Sequence, residues 1–101
     1  MGRIVNSGVN ILCKKLFGQF LLTNNPYCII NNIEVRELRW DHINFIPLIP
    51  NVPYNFIIQV NYLGGPIGSI AFSVYVQPGE IWNLEYKTPF TIFSPGTIRR
   101  I

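Results

Sequence analysis

The residues able to act as nucleophile, base or metal ligand are few: Cys13, Cys28, a single histidine, His42, and five carboxylates, Glu34, Glu37, Asp41, Glu80 and Glu85. Nucleophilic catalysis needs a base within reach of a Ser, Thr or Cys. Cys28 or Cys13 with His42 and Asp41 is the one such set on offer, and sequence neighbours on a strand point to opposite faces, so Asp41 is poorly placed to orient His42. No two carboxylates stand out as a general acid and general base. One His and two Cys fall short of the four ligands of a structural zinc site, unless an oligomer shares the site. The segment 64–68, Gly-Gly-Pro-Ile-Gly, lacks the Lys and Ser or Thr of a phosphate-cradling loop and sits between strands. These residues predict a protein that is not an enzyme and holds no cofactor or metal. The cysteine spacing matches neither a redox pair nor a zinc knuckle and predicts two buried thiols in a reducing compartment.

The elements around these residues read as strands. Over 101 residues, eight Gly and eight Pro recur too often for a long helix, and β-branched and aromatic residues alternate with polar ones between them. Residues 27–30 and 33–38 flank Asn31-Asn32, a pair that tolerates the positive φ of a tight hairpin turn. Residues 44–49 place Phe45 and Pro47 opposite Ile46 and Leu48. Residues 55–63 put Phe56, Ile58, Val60 and Tyr62 on one face, and Ile70, Phe72, Val74 and Val76 repeat that face after a hairpin loop at 64–68. Gln77-Pro78-Gly79-Glu80 has the form of a type II turn. In the last long strand Trp82, Leu84 and Tyr86 face the core while Asn83, Glu85 and Lys87 face solvent, and Pro89 and Pro95 break the remainder. Residues 9–14 and 19–23 read as strands around Gly18, with a helical turn over 11–17 as the alternative. The expected fold is all-β, one domain over 1–101: a small antiparallel β-sandwich, with a partly open OB-like or Sm-like barrel as the alternative.

Composition narrows the partners. Apolar residues make up 49% and charged residues 13%, about half the charge of an ordinary domain, so apolar surface is left to face a partner. No run approaches the roughly 20 apolar residues of a spanning helix, so no membrane insertion is expected. The first eight residues lack a signal-peptide core, and Asn6 stands where a myristoylation pattern has Ser or Thr; a cytoplasmic protein is expected. The net charge of +3 comes with basic residues in three groups, Lys14 with Lys15, Arg36 with Arg39, and Arg99 with Arg100. Gathered on one face, these would contact nucleic-acid phosphates. Of the aromatic residues, Phe56, Phe72, Trp82 and Tyr86 read as core, Tyr75 and Tyr27 as exposed. Trp40, flanked by Arg39 and Asp41, reads as a cap over one end of the core or as a partner anchor.

Residues 27–35, then Leu38, the turn at 50–53 leading into 55–62, and Val76-Gln77-Pro78-Gly79-Glu80 resemble the layout of PEGA-type small β-sandwich domains. In those, a strand and an Asp-Gly turn precede a second strand, and later strands are entered through Pro-Gly turns. Here Asn31-Asn32 replaces Asp-Gly, and Val52-Pro53 replaces Pro-Gly. The resemblance spans residues 27–86 and implies a noncatalytic surface or assembly module, with no catalytic residues to carry over.

The sequence thus predicts a noncatalytic module that binds protein, including a second copy of itself, through sheet edges and residual apolar surface. By elimination from the core set, its contact residues are Trp40, Tyr75, Phe90 and Phe93. The alternative is a single-stranded nucleic-acid binder using Lys14, Lys15, Arg36, Arg39, Arg99 and Arg100. A carrier with an interior ligand is a third class that sequence does not address.

Overall fold

Alternation of apolar and polar residues fixes which side of each strand is buried, and two sheets result when those sides meet. The computed structural model describes residues 6–15, 24–89, 91 and 94–101. Among these are eight strands and no helix: β1 (Gly8–Lys14), β2 (Tyr27–Ile30), β3 (Glu34–Glu37), β4 (Ile43–Pro47), β5 (Tyr54–Tyr62), β6 (Gly65–Val74), β7 (Ile81–Lys87) and β8 (Thr97–Arg100). One sheet has the order β4-β1-β7-β8, the other β3-β2-β5-β6. The chain crosses between layers after β1, β3, β4 and β6, so each sheet is built from separated pieces. Among the described residues both sheets keep open edges and no ladder closes on itself. The fold is therefore the β-sandwich, and the barrel alternative does not hold.

The core lies between the sheets. Val9, Ile11, Cys13, Ile46, Leu84 and Tyr86 on one side face Cys28, Ile30, Phe56, Ile58, Val60 and Val74 on the other, all buried. Each large apolar side chain removed from water in this way contributes about 1.5–3 kcal/mol before entropy is counted. Trp82 and Phe72 are half-buried against the cluster, and Phe72 stacks on Phe56 with ring centroids 5.4 Å apart.

The turns follow the sequence closely. Asn31 and Asn32 have φ of 53° and 60°, and Ile33 N donates to Ile30 O at 3.1 Å. Glu34 pairs with Ile30, so the hairpin loop is three residues long, 31–33. Asn31 Oδ1 further accepts from Asn55 N at 2.9 Å, tying the turn to β5. Gly79, at φ 79°, completes the type II turn, with Glu80 N donating to Gln77 O at 2.9 Å.

Four expectations need revision or lie beyond view. β1 pairs with β7 in parallel, where only antiparallel pairing was expected; a parallel pair needs a long crossover, and the whole excursion through the other sheet supplies it. The β5–β6 turn is just Leu63-Gly64, at φ 52° and 84°, and residues 65–67 already pair with β5. Gly68, at φ 62°, lies in a bulge where the register shifts. Glu85 is buried on the outer face of its sheet, because Arg99 and Lys87 close over it at 2.9 and 3.7 Å. Of the early strands, β1 runs through Lys14 as a strand, while residues 19–23 lie outside the described residues.

Candidate protein-binding edge

A sheet edge exposes backbone N–H and C=O groups that can pair with another strand, and proteins blunt such edges with charge, proline, short length or a cover. The four edges here are β3, β4, β6 and β8. β3 (Glu-Val-Arg-Glu) and β8 (Thr-Ile-Arg-Arg) carry charges. β4 is short and ends in Pro47. β6 is the longest at 10 residues. From residue 70 through the strand's end at Val74 and on to Val76, the sequence Ile-Ala-Phe-Ser-Val-Tyr-Val contains no charge, Pro or Gly, which is the composition of a strongly pairing strand.

Which groups of that segment point outward follows from its neighbours. Phe72 and Val74 pair with β5 and bury or half-bury their side chains, whereas Ala71, Ser73 and Tyr75 are exposed. Asn55, directly opposite Ser73, directs its own backbone the other way: its N–H reaches Asn31 Oδ1 at 2.9 Å and its carbonyl accepts from Asn31 N at 2.8 Å. Residues 55 and 73 are thus a pair without mutual backbone bonds, and by alternation the N–H and C=O of Ala71 and Ser73 face away from β5, while those of Tyr75, just past the strand's end, have no backbone partner among the described residues. The stretch is bounded on both sides. Gly96 N donates to Ser69 O at 3.3 Å, and Gln77 N donates to Glu80 Oε1 at 2.9 Å.

The lower end of the edge is held by the core. Tyr86 Oη donates to Gly68 O at 2.7 Å, and a side chain at Gly96 would meet that carbonyl and the Tyr86 ring, each at 2.5 Å. Glycine at 96 permits the close approach that brings its N–H to Ser69.

Comparison with family models, with curated proteins and with solved structures found no match. The site is read from its own geometry.

Tyr75 stands in line with Ala71 and Ser73, 45% exposed. Trp40 belongs to the opposite layer: it bridges to Cys13, its Nε1 donates to Asn24 O at 2.9 Å, and Lys15 Nζ lies over its ring at 5.4 Å. It is partly buried and packs against the core. The structure does not bring Trp40 and Tyr75 together, and Phe90 and Phe93 lie outside the described residues. The sequence carries no signal that singles out Ala71 and Ser73, because what distinguishes them is backbone on an edge strand.

The basic residues divide between the layers. Arg36 sits on β3 and pairs with Glu34, and Arg39 lies in the segment that follows. Lys14 is on β1 beside Lys87. On β8, Arg99 bonds Glu85, and Arg100 covers the Trp82 ring at 4.2 Å with Glu80 at 4.0 Å. His42 is exposed, its Nδ1 2.7 Å from Trp40 O, while Cys13 and Cys28 are free thiols buried in the core. Among the described residues no group of three His, Cys, Asp or Glu side chains could hold a metal ion. No helix among them is long and apolar enough to cross a membrane.

Proposed function

We propose that this chain is a noncatalytic protein-binding module that recruits its partner, a second copy included, by strand addition to β6. One observation carries the reading: the uncharged segment 70–76 keeps the outward backbone groups of Ala71, Ser73 and Tyr75 unpaired among the described residues, on an edge with no charge to repel an incoming strand. Main-chain bonds would supply affinity there, and Tyr75 would add aromatic contact area. The resemblance to PEGA-type domains points the same way.

Nucleic-acid binding has weaker support. Its basic residues lie on both layers, and Arg36, Arg99 and Arg100 already engage carboxylates or a ring. Buried thiols and an exposed His42 bonded to a backbone carbonyl give no support to catalysis.

Size-exclusion chromatography with light scattering tests the self-association part: a mass above the monomer that grows with concentration is expected, and a clean monomer at high concentration removes it. A titration with labelled oligonucleotides at low and moderate salt tests the other class, and salt-sensitive binding there would displace the protein-binding reading.

A further inference from the structure

We infer that two copies of this chain pair antiparallel through β6, about a two-fold axis at Ser73, into one sheet continuous through both molecules. The inference rests on the strand-addition reading and names its partner.

The hydrogen bonds bounding the edge select the register. Antiparallel self-pairing must bring outward-facing residues opposite outward-facing residues. With Ser73 opposite Ser73, Ala71 of each copy lies opposite Tyr75 of the other, and every backbone group needed is unpaired among the described residues. Centring on Phe72 would place Tyr75 opposite Ser69, whose carbonyl already accepts from Gly96. Centring on Val74 would place Ala71 opposite Gln77, whose N–H already donates to Glu80. Only the Ser73 register uses the whole stretch from 71 to 75 and disturbs neither bond.

The side chains suit the same register. Small Ala71 opposite large Tyr75 avoids two bulky residues meeting on the outer face, and the two small Ser73 side chains meet at the axis, each hydroxyl donating to Asn55 Oδ1 of its own copy at 3.3 Å. On the inner face Phe72 lies opposite Val74, which is already buried in its own core, so no unlike or charged pair arises there. An isologous interface must be self-complementary, and a segment without charge meets its own copy without repulsion. A strand from an unrelated protein would require no such palindromic fit.

Ser73→Pro is the direct test, because the N–H it removes faces away from β5 and the intrachain ladder keeps its bonds. Wild-type protein is expected to sediment as a dimer, and S73P to need about tenfold or more higher concentration to dimerise while keeping its far-UV spectrum. A folded S73P that dimerises like wild type would overturn the inference and leave self-assembly standing through another surface. A wild-type monomer at all concentrations would overturn both.

Ser73→Cys with a short bismaleimide covers the case in which S73P does not fold. The expected result is a cross-linked dimer at position 73 and none for Val35→Cys on the β3 edge, with wild-type protein silent because Cys13 and Cys28 are buried. Cross-linking at 35 but not at 73 would overturn the register and the edge.

Discussion

The hydroxyl of Tyr86 donates a 2.7 Å hydrogen bond to the carbonyl of Gly68, joining the largest fully buried side chain on one sheet to the bulge at the start of the other sheet's open edge. Burial pushes the Tyr86 phenol well above its ordinary range, which favours the protonated, donating form. The bond lies one residue from Ser69, whose carbonyl accepts from Gly96 N at 3.3 Å.

Tyr86→Phe should therefore leave the Gly68 carbonyl without its partner and destabilise the protein by about 1–3 kcal/mol. Chemical denaturation measures the loss. Hydrogen exchange should also quicken at the Gly96 amide, which bonds the neighbouring Ser69; unchanged exchange there would separate the bond from the geometry of the edge.

Glu85 gives a pH dependence. The hydrogen bond from Arg99 Nε, with further attraction from Arg99, Lys87 and Lys14 opposed by desolvation, holds its carboxyl below the ordinary value. A depressed native pKa means that this stabilisation is present above the unfolded-state value of about 4.3 and is lost as pH falls through the native one. Arg99→Met should cost about 1 kcal/mol at neutral pH, discounted for the exposure of Arg99. The difference from wild type should vanish in acid, and a difference that persists there would assign the effect to packing.

The thiols should be silent in the native state. Burial, with the opposing Cys28 adding to it, pushes Cys13 up to about 12, and burial pushes Cys28 up to about 11 against the lowering influence of Arg36. Neither should react with a maleimide at neutral pH until denaturant is added. Because both native values are raised, stability should decline as pH climbs past the unfolded thiol value of about 8.5. Rapid native labelling at either position would contradict the burial of both.

Asn31 and Asn32 should not be equivalent. Alanine at either must adopt positive φ, at about 1–2 kcal/mol, but Asn31 also accepts from Asn55 N. Asn31→Ala is expected to be the more destabilising by about a further 1 kcal/mol. Equal losses would show that the turn, and not its link to β5, sets the register.

Strands and turns were legible in this sequence because their causes are local. Asn31-Asn32, Pro78-Gly79 and the alternation from Phe56 to Val76 each act within a few residues through φ preference and side-chain direction, and the structure follows them. The limits of that reading are equally physical. Leu63 takes a left-handed turn conformation that its type does not announce, and alternation points Glu85 to solvent because Arg99, its cover, arrives from a different strand. The largest gap concerns the candidate site. The composition of residues 70–76 marks a strongly pairing strand, yet the same residues in the middle of a sheet would be fully satisfied. Sequence set the chemistry of β6 through its side chains; only the tertiary order β3-β2-β5-β6 made it an edge, because strand neighbours are chosen by contacts far apart along the chain.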